Sequence, residues 1–141
     1  LAIVQSICSS FKLELLQGVH NFTPSTGDTF KFALYTSAAS LSALTTSYSS
    51  SNEVAAAGYS AGGVVLSQTA PVVIGTTALC SFNNVSISAE IVARGALIYN
   101  SSKANRAVAV LDFGGDRRSS GGVFAVQFPP ASADSAIIRI G

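Results

Sequence analysis

Five residues, Gly58-Tyr59-Ser60-Ala61-Gly62, spell G-x-S-x-G, the pattern that in α/β hydrolases sets a nucleophilic serine on a sharp turn between a strand and a helix. That chemistry needs more than the serine. It needs a strand before the turn, a helix after it, a parallel sheet around it and a histidine downstream to take the hydroxyl proton. The chain has one histidine, His20, which lies upstream, and Gly63-Val64-Val65 leads into a strand. Ser60 is therefore not expected to be a nucleophile, and the chain is not expected to be an enzyme. Gly58, Gly62 and Gly63 are expected to supply positive-φ turns where a loop rejoins a sheet.

The remaining reactive residues are equally sparse. A lone His20 cannot build a zinc site and is assigned a structural role, capping the end of the first segment. Asp112, Asp116 and Asp134 lack the dense spacing of a calcium loop. Glu53 and Glu90 form no recognisable glycosidase pair, and without tryptophan a sugar platform is not expected. The glycine-rich stretch 114–122 carries Arg117 and Arg118 but not the Lys-Ser/Thr ending of a phosphate loop, so it reads as a mobile hairpin tip. Cys8 and Cys80 could bridge, but nothing else marks an oxidising compartment and two buried thiols are the preferred reading. Asn21-Phe22-Thr23, Asn84-Val85-Ser86 and Asn100-Ser101-Ser102 fit the glycosylation pattern, as chance allows in a Ser- and Thr-rich chain. No cofactor and no metal are expected.

These residues sit in an unusual background. Of the 141 residues 48% are hydrophobic and 11% charged, against about 25% charged in an ordinary soluble domain. Ser, Thr, Ala and Gly replace the missing charge. A surface of that kind costs little to desolvate against another protein, which favours a packing role. The net charge of +1 offers no long-range field for nucleic acid or an anionic membrane. No apolar run reaches the roughly 18 residues of a membrane span, and no signal peptide is read at the N-terminus. One domain, 1–141, is expected, with 1–10 as an extended arm.

The elements that must position these side chains are mostly strands. Phe11, Leu15 and Val19 with Leu16 suit a helical face running from Ser10 as N-cap to Gly18, although Phe11, Leu13 and Leu15 equally suit a strand; the short helix is preferred. Thr29 to Thr36 alternates strictly and predicts a half-buried strand, with Phe30, Phe32 and Leu34 on one face. Residues 36–63 read as a long ordered loop with a helical turn at Leu41 to Tyr48; Glu53 is the only charge between Lys31 and Glu90. After Gly63 come β-type runs at Val64 to Gln68, Val72 to Ile74, Ala78 to Phe82, Val85 to Tyr99, Ala107 to Phe113, Val123 to Phe128 and Ala136 to Ile140. Gly95 inside the longest marks a bulge or close backbone approach. About eight strands so spaced predict an all-β, jelly-roll-like antiparallel sandwich.

Several stretches carry a resemblance that runs nearly end to end: Phe11 to Phe22, Asp28-Thr29-Phe30-Lys31-Phe32-Ala33-Leu34-Tyr35-Thr36, Asn52-Glu53-Val54 to Gly63, Ala93-Arg94-Gly95-Ala96-Leu97-Ile98-Tyr99-Asn100 and Leu111-Asp112-Phe113-Gly114. Together they resemble the capsid cement, or decoration, proteins of tailed bacteriophages. The resemblance implies a jelly roll clamped on the outer surface of a phage head assembled in the bacterial cytoplasm, with the major capsid protein as partner. A homodimer is expected, with a homotrimer as the alternative; a host-recognition module of the tail or fibre is the alternative role. The residues expected to touch partners are Asn52, Glu53 and Tyr59 in the low-charge loop, with Tyr59 as a core plug the competing reading. Arg117 and Arg118 are expected to meet capsid carboxylates, or else to be solvated tips.

Overall fold

Residues 2–141 are described by a computed structural model. Its elements, in chain order, are β1 (Ser6–Ile7), α1 (Ser9–Leu16), β2 (Phe30–Tyr35), β3 (Val64–Val65), β4 (Val72–Ile74), β5 (Thr77–Cys80), β6 (Val85–Ile87), β7 (Val92–Asn100), β8 (Arg106–Arg118), β9 (Phe124–Val126) and β10 (Ile138–Ile140). A five-stranded sheet runs β1-β8-β7-β2-β3, a three-stranded one β10-β5-β4, and β6 pairs with β9 alone. Every strand pairing in these sheets is antiparallel. The pairs β7·β8, β6·β9 and β5·β10 are nested one inside the next, which is the ribbon from which a jelly roll is wound. The expected all-β antiparallel architecture is thus present, with ten strands among the described residues where the spacing suggested about eight. The run Val85 to Tyr99 is two strands, broken at 88–91, where Ser119 bonds across to Ile91 and Ala89.

Aromatic side chains fill the space between the layers. Phe22 stacks on Phe30 with ring centroids 4.3 Å apart, Phe30 meets Phe82 edge-on at 6.2 Å, and Phe32 meets Phe128 at 5.5 Å. Such offset and edge contacts suit the ring quadrupoles and hold the sheets in one register. β2 is not half-buried as its alternation predicted: Ala33 and Tyr35, on the opposite face from Phe32 and Leu34, are also enclosed. The covering layer is the loop 36–63, which has no periodicity from which its position could be read.

α1 begins earlier than the expected segment. It starts after Cys8 rather than Ser10, with no side-chain cap, and ends at Gln17 followed by Gly18 at φ 71°. Ser10 Oγ is buried without a hydrogen-bond partner, so it does not cap. Phe11 and Glu14 face inward, whereas Leu16, expected on the apolar face, is 89% exposed. The helical turn expected at Leu41 to Tyr48 is instead a single turn closed by the Thr45 N–H to the Ser42 carbonyl, 3.1 Å.

Two glycines are required by close approach. A Cβ at Gly63 would sit 1.9 Å from the Phe32 carbonyl oxygen, and its φ is +82°, so only glycine lets the loop enter β3 beside β2. At Gly95 a Cβ would meet the Leu111 carbonyl oxygen at 2.5 Å. The ladder shifts register beside it: Gly95 pairs with Asp112 and Ala93 with Arg117, leaving 113–116 of β8 opposite Arg94 alone. This is the bulge expected there, larger than one residue.

Candidate functional site

Glu53 is the centre of the most elaborate side-chain cluster. Its Oε1 accepts from the Tyr48 hydroxyl at 2.5 Å, and its Oε2 accepts from the Tyr59 hydroxyl at 2.6 Å and the Gly62 N–H at 2.8 Å. Tyr99 stacks on Tyr48 at 4.7 Å and donates to the Gly62 carbonyl at 2.5 Å, while Tyr35 donates to the Ser49 carbonyl at 2.6 Å. All four tyrosines of the chain therefore surround one carboxylate. Burial holds each phenol above its ordinary range, and the Glu53 charge adds to that by favouring the protonated, donating form.

The cluster has a structural task. β3 pairs only with Lys31 and Phe32, so the same edge of β2 is open beyond them. The loop closes it: the Leu34 carbonyl accepts from the Val54 N–H at 2.9 Å, and the Leu34 N–H donates to the Tyr59 hydroxyl oxygen at 2.8 Å. Tyr59 thus fills the core position of the competing reading; it is 8% exposed. Asn52 is exposed at φ 62°, and its carbonyl accepts from the Thr36 N–H at 3.0 Å. Ser60 is exposed beside Gly58, Gly62 and Gly63, which all adopt positive φ as expected of turns.

A second polar chain, invisible to motif reading, links α1 to the β7–β8 turn. Lys103 reaches Asp28 at 2.7 Å; Asp28 Oδ2 accepts from Asn100 Nδ2 at 2.8 Å; Asn100 Nδ2 also donates to His20 Nδ1 at 2.9 Å. With Nδ1 accepting, the imidazole carries its hydrogen on Nε2, which donates to Glu14 at 2.8 Å, and Glu14 in turn holds Arg106 at 3.1 Å. His20 is therefore an internal link, its side chain fully enclosed, rather than the cap of the first segment. Burial alone would raise the Asp28 carboxyl, but hydrogen bonds from Lys103, Asn100 and the Asn21 N–H, with the Lys103 charge, hold it below the usual range. Asn100 is 0% exposed, so the third glycosylation pattern is a core position.

The other candidates lie apart. Cys8 and Cys80 are separate buried thiols, and burial, with the Glu14 charge adding, pushes Cys8 up to about 11, which suppresses thiolate chemistry. Asp112 pairs with Arg94, not with Asp116 or Asp134, and no group of three His, Cys, Asp or Glu side chains suited to a metal ion occurs among the described residues. Arg117 and Arg118 are not on a hairpin tip: Gly114 and Gly115 let β8 continue, and the arginines pair in register with Ala93 and Val92. Both border a cleft of about 560 Å³ between β8 and β9, away from the Glu53 cluster. The candidate contact residues therefore fall into two regions, and the loop region is organised inward.

A third surface was not singled out from sequence. β4 ends the three-stranded sheet, and Val72, Val73 and Ile74 are 44%, 69% and 46% exposed. Its hairpin turn, Gly75-Thr76 between the paired Ile74 and Thr77, places Gly75 at φ 63°, the conformation a two-residue primed turn needs. The uncharged composition of residues 54–89 was the available signal. Among the described residues no helix is long and apolar enough to cross a membrane.

Compared with protein families, with characterised proteins and with solved structures, the chain finds no significant match.

Proposed function

We propose that this chain is a structural virion protein that binds the outside of an assembled phage capsid as a homodimer and cements neighbouring capsomers. The observation that carries the assembly part of this reading is the β4 edge. Sheet edges in soluble proteins are blunted by charge, proline, bulges or brevity. The five-stranded sheet follows that rule with two-residue edges β1 and β3, and β10 carries Arg139. β4, three residues long and preceded by Pro71, is short as well, but all three of its residues are exposed and apolar and none is charged. Antiparallel pairing of β4 with a second copy, centred on Val73, sets Val73 against Val73 and Val72 against Ile74. At the two-fold axis a residue meets its own copy, so a charge at the centre of this pairing would face its like, and an uncharged segment suits it. Closure by two-fold symmetry also ends the association at two copies.

A dimer doubles the capsid contacts of each unit and gains avidity. Binding only the assembled lattice stabilises it by on the order of 3 kcal/mol per site when free protein is at about 100 times its Kd. Purified protein is expected to sediment with expanded capsids in stoichiometric amount and to raise the temperature at which filled heads rupture; failure in both would end the cement reading. For the dimer, Val73→Asp is expected to raise the dissociation constant roughly 100-fold, about 2.8 kcal/mol, with an unchanged monomer fold because Val73 is exposed. Light scattering after gel filtration reads this directly, and a wild-type monomer at micromolar concentration would refute the β4 interface.

A further inference from the structure

The cleft beside Arg117 and Arg118 is bordered in an unusual way. Its lining includes the unbroken runs 111–113 and 124–129. Successive side chains of a strand point to opposite faces, so consecutive lining residues mean that the strands present edges, not faces, to the cleft. The pairing agrees. On its outer side β8 pairs with β1 only at Ala109 and Val110, and β9 pairs only with β6, so among the described residues no strand covers the outer edge of β8 from Leu111 onward or the second edge of β9. Gln5, which directly precedes β1, reaches this edge by its side chain, whose oxygen accepts from the Asp112 N–H at 3.1 Å, and the Gly114 N–H donates to Asp112 Oδ1 at 2.9 Å, so side chains and no strand hold these donors. The walls carry Phe113 and Phe124, whose rings lie 6.1 Å apart, together with Leu111 and Val126.

The charge at this cleft is unbalanced. Asp112 lines it but is taken up by Arg94. Arg117 and Arg118 are exposed, and neither has a carboxylate within ion-pair distance among the described residues. A volume of about 560 Å³ lies in the range of ligand clefts, roughly 300–1,000 Å³. A half-polar cleft with an open backbone edge and two unpaired guanidinium groups has the attributes of a β-augmentation site: main-chain hydrogen bonds supply affinity, and pockets for alternate side chains supply selection. Arginine forks add bidentate recognition of carboxylates.

We infer that the cleft between β8 and β9 is a docking slot for an extended acidic segment of a partner protein, which continues the line of β1 along the outer edge of β8 and places its carboxylates on Arg117 and Arg118. Only the partner's identity as a capsid protein rests on the proposed function; the slot itself rests on the open edges and the unpaired charge. The dimer surface at β4 is separate, so one copy can pair with its twin and hold the segment at once.

The test uses the full-length protein and two fluorescent ten-residue peptides, one alternating valine with glutamate and one alternating valine with lysine. The glutamate peptide is expected to bind at least tenfold more tightly, by about one order of magnitude or more in anisotropy titrations. Its amide shift changes are expected to fall on 111–118 and 124–128, and the double variant Arg117→Ser/Arg118→Ser is expected to lose the preference while keeping the wild-type amide spectrum elsewhere. Equal affinity for the two peptides, or shift changes that avoid these residues, would overturn the slot. Capsid sedimentation separates the two proposals: wild-type protein that binds capsids but not the glutamate peptide keeps the cement reading and removes the slot, whereas peptide binding at the slot without capsid binding keeps the slot and removes the capsid.

Discussion

Glu53→Ala is expected to destabilise the fold by roughly 4 kcal/mol, because it strips the acceptor from three donors at once and each buried donor so orphaned costs about 1–3 kcal/mol. The donors are the hydroxyls of Tyr48 and Tyr59 and the N–H of Gly62. The loss propagates because Tyr59 also satisfies the Leu34 N–H on the open edge of β2. For a domain of this size the melting temperature is expected to fall by roughly 10 °C. Glu53→Gln keeps the shape and one acceptor oxygen, and is expected to cost about half as much. Urea titration of the three proteins checks both the size and the order. A cost for Glu53→Ala below about 1 kcal/mol, the level of an exposed residue, would mean that the loop is held by something else.

The second large effect is alkaline unfolding. Tyr35, Tyr48, Tyr59 and Tyr99 all have folded-state pKa values raised above the ordinary 10, first by burial and then by Glu53. In the unfolded chain they ionise near 10, so above that pH the unfolded state binds fewer protons than the folded one and stability falls as pH rises. Below pH 10 their contribution is fully present. Each fully shifted tyrosine contributes a limiting slope of about 1.4 kcal/mol per pH unit, so Tyr35 and Tyr59 together remove roughly 2 kcal/mol between pH 10 and pH 11, and Tyr48 and Tyr99 add in the same direction. Tyrosinate absorbance is expected to appear together with loss of the β-sheet circular dichroism, in one transition. Ionisation of the phenols near pH 10 with the sheet signal intact would show that the cluster is open to solvent.

The sequence carried the strands better than it carried the layer that covers them. Phe30, Phe32 and Leu34 alternate, and that period marks β2 whatever lies outside it; the burial of Ala33 and Tyr35 depends on a loop of serines and alanines that has no period. Gly58, Gly63 and Gly95 were legible because glycine has few reasons to sit beside a strand other than backbone geometry. Arg117 and Arg118 were placed on a tip because four glycines surround them, yet glycine in β8 serves the bulge opposite Arg94 and the strand runs on. The solitary charge of Glu53 in a long uncharged stretch was a visible signal, read outward as a contact; four tyrosines scattered over the chain point to it only after folding. His20 gave less, since its partners Glu14 and Asn100 are six and 80 positions away.

The nested pairing of the ribbon has a kinetic consequence. β7 and β8 are joined by the short connection 101–105, and once they are zipped, β6 finds β9 and β5 finds β10 by closing only the small segments left between successive pairs. Loop-closure entropy is then lost in increments, and a topology rich in distant contacts can form from one local hairpin outward. β2, the most buried strand of the first half, pairs with only two residues of β3 on one edge and with the whole of β7 on the other, so on the ribosome it waits for its main partner until the chain has been made as far as Asn100. During synthesis the apolar run Phe30 to Tyr35 is therefore the segment most in need of shielding.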